Sequence, residues 1–205
     1  PRSAPVQALP PRPTGRAAVI VNPNAAHGRT GRRWPTLEGY IREALPGCDI
    51  QKTTGPHHAT TLTREALRAG FERIISVGGD GTHYEVTNGF FEEGAPINPH
   101  AVFGILNYGT GGDLARTLRV PAGRKAFRVL AEGRTTASDV GRITYRRADG
   151  TPGACYWLNT CRIGMGGEVV HRVNNNSKLA GGFFSFAVGT LLTLLNYRDK
   201  RMRVR

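Results

Sequence analysis

The chain has 205 residues, 39% of them hydrophobic and 21% charged, with a formal net charge of +13. This is room for one good-sized domain plus a piece of another, with the proportions of a globular chain that has a real core. The basic charge makes anionic membrane and polyphosphate candidate partners, a soluble basic protein without such a partner being the plain alternative. No RNA-binding aromatic signature, helix-turn-helix pattern or finger spacing accompanies it, so nucleic acid is not expected.

The three cysteines, Cys48, Cys155 and Cys161, form no C-x-x-C and read as small core hydrophobes in a reducing compartment. His57-His58 has no Cys or His at metal-ligand spacing, which argues against a zinc site. No signal peptide is read. The most apolar stretch, 180–195, is shorter than the ~20 residues of a crossing helix and suits a buried one.

In chain order, residues 1–15 carry Pro1, Pro5, Pro10, Pro11 and Pro13 and read as a disordered arm. The run 17–21 (AAVIV) predicts a buried strand, and 30–45, with Trp34, Leu37, Tyr40, Ile41 and Leu45, an amphipathic helix. A weak strand over 49–53, a helix over 58–69, a strand over 73–77, a helix over 83–91 and a strand over 101–106 follow. Helices over 113–118 and 123–132 complete the alternation. Such alternation predicts an α/β fold, a parallel sheet covered on both faces, with ligand bound at the carboxyl ends of its strands. After residue 134 the pattern changes. Strand-like runs at 136–146 and 154–163 have no long helix between them, which predicts an antiparallel, β-rich second domain. Helical patterns return at 165–174 and 182–196, and 201–205 alternates like an opening strand. The expected division is 16–134 and 135–205, the second part incomplete.

Three Gly- or Asn-rich loops, 22–28, 78–82 and 109–113, fall at the predicted strand ends. Gly78-Gly79-Asp80-Gly81-Thr82, between a strand and a helix, has the composition of a phosphate loop. Glycines let N–H groups approach an anion, and the helix that follows adds its positive end. Asp80 beside phosphate would bind Mg²⁺ or accept a proton. The plain alternative is a tight turn with Asp80 as an N-cap. No G-x-x-x-x-G-K-[ST], clean G-x-G-x-x-G or G-x-S-x-G is present, so neither a P-loop, a dinucleotide-binding nor a serine-hydrolase reading is favoured.

These motifs together resemble the diacylglycerol, sphingosine and ceramide lipid kinases. GGDGT at 78–82 is similar to their signature, which 6-phosphofructokinases and NAD kinases share. Asn22-Pro23 with Gly28 resembles the family's first loop, Thr53-Thr54-Gly55-Pro56-His57-His58-Ala59 its T-T-x-x-x-H-A, and Glu85 with Asn88-Gly89 the extension of GGDGT. Gly109-Thr110-Gly111-Gly112-Asp113 resembles G-T-G-N-D, with Gly112 in place of Asn. Leu106-Asn107-Tyr108-Gly109-Thr110 stands where the family has L-P-L-G-T. Asp139-Val140-Gly141 and Leu158-Asn159 with Ile163-Gly164 resemble the opening of the second domain.

The resemblance implies an NAD kinase/diacylglycerol kinase-like fold and transfer of the ATP γ-phosphate to a lipid hydroxyl, with Mg²⁺. It implies ATP contacts from Asn22, Asn24, Thr53, Gly79, Asp80, Gly81, Thr82, Glu85, Gly109, Thr110 and Gly111, with Asp80 as the catalytic residue and Glu85 near the ribose. Metal ligands are not assigned. Val170 stands where sphingosine kinases carry an acid, favouring diacylglycerol or a related lipid over sphingosine. A cytoplasmic protein touching an anionic membrane surface is expected, inactive as this 205-residue chain alone. The unfinished sheet edge leaves room for a homodimer. An NAD kinase-like enzyme and a non-catalytic nucleotide-binding protein are the alternatives.

Overall fold

A computed structural model of the chain describes residues 14–147, 149–161 and 165–169, with Thr190, Leu191 and Leu194. The expectations for residues 1–13, Ile163-Gly164, Val170, most of 182–196 and strand 201–205 lie outside the described residues. Of the expected helix 165–174, residues 165–169 are described and helical. The first of two compact units ends at Asn159, and all elements named below belong to it.

Its centre is a four-stranded, wholly parallel sheet of β1 (Ala17–Val21), β2 (Asp49–Lys52), β3 (Arg73–Gly78) and β6 (Val102–Asn107), in the order β2-β1-β3-β6. All five residues of β1 are buried, because helices cover both sides of this inner strand. On one face Ala17, Val19, Val21, Ile75, Val77 and Leu106 meet Trp34, Leu37 and Ile41 of α2 (Trp34–Ala44) and Phe127 of α6 (Arg124–Glu132). On the other, Ala18, Ile20 and Ile74 meet Ala59, Ala66 and Leu67 of α3 (His58–Arg68) and Val86 of α4 (Asp80–Gly89). The short α5 (Asp113–Thr117) packs Leu114 and Ala115 on Ile105 of β6. The expected α/β architecture is therefore present, followed by two antiparallel hairpins. One pairs β4 (Phe91–Glu92) with β5 (Ala95–Pro96), the other β7 (Gly141–Arg146) with β8 (Pro152–Trp157).

Several boundaries differ from the sequence expectation. The helix expected over 30–45 is two, α1 (Arg29–Arg32) and α2, because Pro35 lacks an N–H and fits only a first turn. The helix expected from residue 83 begins at Asp80, so only Gly79 separates it from β3. The strand expected from 136 begins at 141, and that expected over 154–163 spans 152–157. Cys48 joins the core as expected, whereas Cys161 is exposed.

Two features set the seat of α4. Gly89, at its end, lies against α3: a Cβ there would come within 2.8 Å of the Thr60 carbonyl oxygen and closer still to the Thr63 side chain. His83, in its first turns, is wholly buried, with Nδ1 2.8 Å from Ser76 Oγ on β3. Burial drives the His83 pKa down to about 4, against a smaller upward pull from Asp80, so the ring is neutral at pH 7.

Gly89→Ala should destabilise the protein by about 1–2 kcal/mol net, since an overpacking cost of up to ~3 kcal/mol against α3 outweighs the ~1 kcal/mol that Ala normally adds to a helix. Urea melts read this directly, and an unchanged midpoint would refute it. Stability should also fall with pH. Below the ordinary histidine value of 6.5 the unfolded chain takes up a proton that folded His83 refuses until about pH 4. Across that window the loss is about 3 kcal/mol. His83→Gln should flatten this limb in melts at pH 7, 6 and 5; an equal slope in both proteins would exclude His83 as its source.

Candidate functional site

All four strands of the central sheet run the same way, so their carboxyl ends deliver four loops to one edge. Strand-end hydrogen bonds knit these loops before any side chain acts: Asn22 N–H donates to the Val77 carbonyl (2.9 Å), Thr53 N–H to that of Val21 (2.8 Å) and Tyr108 N–H to that of Gly78 (2.7 Å).

The glycines serve close approach. Gly79, the N-cap of α4, has an extended backbone that any residue could adopt, but a Cβ on it would stand 3.0 Å from Gly109 Cα. A Cβ on Gly78 would meet Thr82 Oγ1 at 2.5 Å, and one on Gly111 the Asp80 carboxylate at 2.6 Å. The loops 78–79 and 109–111 thus touch backbone to backbone.

Asp80 is not the N-cap of its own helix; it caps another. Its Oδ2 accepts from the N–H groups of Gly112 (2.7 Å) and Asp113 (3.2 Å), and its Oδ1 from that of Leu114 (3.0 Å). Those donors belong to the N-cap and the first two residues of α5, whose N-terminal end is electropositive. Partial burial pushes the Asp80 pKa up, but the Leu114, Gly112 and Asp113 N–H bonds together bring it below the ordinary aspartate value. Glu85 repeats the arrangement on the opposite neighbour in sequence. Its two oxygens accept from the N–H groups of His57 (3.0 Å) and Ala59 (3.2 Å) at the start of α3, and its carbonyl accepts from the Thr60 hydroxyl (2.8 Å).

The first loop joins the same helix. Asn22 Nδ2 donates to Thr82 Oγ1 (3.0 Å), and Asn22 Oδ1 accepts from Asn24 N–H (3.0 Å). Ala26, His27 and Gly28 are consecutive left-handed residues, with φ of 52°, 57° and 78°. Two of them are not glycine, which is strained backbone of the kind concentrated at functional sites. The Thr30 hydroxyl, a residue the sequence reading passed over, lies 3.2 Å from both the Ala25 and Tyr108 carbonyls and ties the first loop to the last. Only its burial would have marked it, and burial is not legible in a lone Thr.

Of the expected residues, Thr53 and Thr82 are buried, Asn22, Gly79, Asp80, Glu85 and Gly109 half-buried, and Asn24, Gly81, Thr110 and Gly111 exposed at the rim. Gly112, where the family pattern has Asn, is left-handed (φ 80°), and a Cβ on it would overlap the Asn107 amide. An amide thus stands beside position 112, delivered from position 107 instead. Asn107 also accepts from Gly109 N–H (3.3 Å). Tyr108 packs its ring on the face covered by α2 and α6.

The first turn of α4 has no side-chain cap, its N-cap being Gly79. Arg29, Arg32 and Arg33 follow the first loop and form no ion pair among the described residues. The edge therefore offers donors and positive charge. Among the described residues no three His, Cys, Asp or Glu side chains converge as metal ligands. Asp80, the acid in the turn, already has both oxygens on N–H groups. Among the described residues the Mg²⁺ implied by the resemblance finds no protein cage.

Comparison with known proteins agrees with this architecture. The family profile of the diacylglycerol kinase catalytic domain matches residues 16–143. A diacylglycerol kinase of Staphylococcus carnosus (strain TM300) is 29% identical over 84% of this chain and 53% of its own length. A probable YegS-like lipid kinase of Chromohalobacter salexigens is 29% identical over 82% of this chain and 50% of its own. A solved Bacillus anthracis str. Sterne protein assigned to the diacylglycerol kinases superposes with a TM-score of 0.50 at 28% identity, covering 67% of this chain and 47% of that one. The chain spans about half the length of the curated relatives it matches. With the profile covering most of the chain, and the parallel sheet, GGDGT turn and antiparallel strands all in place, the chain belongs to the diacylglycerol kinase catalytic-domain family.

Proposed function

We infer that this chain forms the ATP-binding part of a kinase that transfers the γ-phosphate to a lipid hydroxyl, diacylglycerol or a related neutral lipid being the acceptor. The observation that carries this reading is the uneven capping of the helices at the sheet edge. The starts of α3 and α5 are neutralised by Glu85 and Asp80, while the start of α4 between them has no side-chain cap. A helix N-terminus with open N–H groups, beside glycines that lack side chains, is a site for phosphate oxygens. The unpaired arginines of α1 add positive charge for a polyphosphate.

In this reading the N–H groups of Asp80, Gly81 and Thr82 hold phosphate, while Gly109, Thr110 and Gly111 close the far side. Asn22, Asn24 and Thr53 border the nucleoside. Asp80, expected to be the base, is better suited to hold the 109–112 loop against the turn. Three N–H donors and a lowered pKa make it a weak proton acceptor. Glu85 likewise acts through the 53–58 segment that it caps. The contribution to rate is then alignment of the γ-phosphate. The basic balance of the chain, +13, fits an acceptor lying in an anionic membrane surface. No helix among the described residues is long and apolar enough to cross that membrane.

ATP with Mg²⁺ should raise the melting temperature, because a ligand bound only by the folded state stabilises it by mass action. A folded sample with no shift at millimolar ATP would overturn the assignment. Asp80→Asn replaces one acceptor oxygen with a donor facing N–H groups. It should weaken ATP binding by about tenfold or more, and turnover of the full-length kinase with it. Loss of turnover at unchanged ATP affinity, measured by calorimetry, would instead return Asp80 to the part of general base.

A further inference from the structure

Asn88-Gly89 ends α4, and the nucleotide reading uses neither residue. Gly89 is explained by its approach to α3. Asn88 points elsewhere. Its Oδ1 accepts from the backbone N–H of Tyr156 (2.9 Å), and its Nδ2 donates to the Tyr156 carbonyl (2.9 Å) and to the Tyr84 carbonyl one turn back (2.9 Å).

Tyr156 lies in β8, which among the described residues pairs with β7 alone. An antiparallel edge presents a backbone N–H and C=O outward at alternate residues. Asn88 takes both groups of one such residue, as a neighbouring strand would. The third bond, to its own helix, fixes the amide's orientation. Beside it the Tyr156 ring stacks on Phe91, with centroids 3.9 Å apart and planes 11° from parallel. A second tie, from the Thr117 hydroxyl to Asn159 Oδ1 (2.9 Å), reaches α5 farther along the chain.

We propose that Asn88 is a positioning residue that couples nucleotide binding to the β7–β8 hairpin. The two ends of α4 face different tasks. The first turn, with Asp80 and Thr82, belongs to the loops assigned to phosphate; the last turn, through Asn88, holds the edge of the hairpin. A helix carries axial and rotational shifts along its length with little bending, so ordering the first turn orders what Asn88 holds. The amide is suited to this. A hydroxyl would supply a single group of variable orientation, and a carboxylate could accept from the Tyr156 N–H but would oppose its carbonyl. The proposal rests on the ATP reading above and adds a direction to it, from donor site to hairpin.

Hydrogen exchange on this chain, as wild type and as Asn88→Ala, with and without ATP and Mg²⁺, tests it. Peptides covering 78–82 and 109–113 report the nucleotide loops; peptides covering 152–157 report the hairpin. In the wild type, nucleotide should slow exchange in both regions, by about tenfold at the hairpin, the effect of securing two hydrogen bonds. In Asn88→Ala the loops should respond as before and the hairpin should not. Asn88→Asp, which keeps the acceptor and loses the donor, should also lose the hairpin response. Two outcomes overturn the proposal while leaving the ATP assignment intact: an equal hairpin response in variant and wild type, or loops that respond while the wild-type hairpin does not. Loops that fail to respond in either folded protein overturn the ATP assignment, and this coupling with it.

Discussion

Asp80 and Glu85 sit five positions apart on one helix, and each accepts hydrogen bonds from the first-turn N–H groups of a different helix. Side-chain caps normally come from the residue just before the helix they serve. Here they cross from element to element, 26 to 34 residues away in sequence. Each cap is worth about 1 kcal/mol in ordinary cases. Their larger effect is geometric. Loops on either side of GGDGT are fastened to the same rigid rod, so the edge of the sheet is a set of segments with one common reference. Thr82 adds the first loop through Asn22.

This arrangement explains why glycine recurs where no left-handed backbone demands it. Gly78, Gly79 and Gly111 have ordinary or extended torsions, yet a Cβ on any of them would strike Thr82, Gly109 or Asp80. The crossed caps draw the loops too close for side chains. Conversely, three of the five described residues that are left-handed without being glycine, Ala26, His27 and His57, lie in the loop or at the helix start that α4 secures from outside; Glu93 and Arg119 lie elsewhere. The strain is held by contacts distant in sequence.

Much of the fold was legible from residue pattern. AAVIV and RIISV are short apolar runs between helical periods, and each proved to be a strand buried on both faces. Tertiary contacts were not legible. GGDGT reads as a loop because its glycines argue against helix, yet Asp80 already belongs to α4, with its carboxylate turned to the N–H groups at the start of α5. A local reading gives Asp80 and Glu85 caps within their own segment; nothing nearby in sequence reveals that α5 and α3 are the recipients. Asn88 was visible as part of a motif, but its partner lies 68 residues on. The hairpin itself was anticipated from the loss of alternation, though its strands are shorter than the apolar runs suggested, since residues 136–140 and 158–161 find no ladder among the described residues.

The pairing of Asn107 with Gly112 bears on any attempt to improve this chain by consensus design. Positions 107 and 112 both depart from the pattern that the resemblance sets, and glycine at 112 leaves room for the Asn107 amide. Restoring Asn at 112 alone would drive its side chain into the Asn107 amide; restoring Pro at 107 alone would leave the space beside Gly112 with no amide at all. The two positions are coupled through this contact, so their substitutions are not expected to be additive.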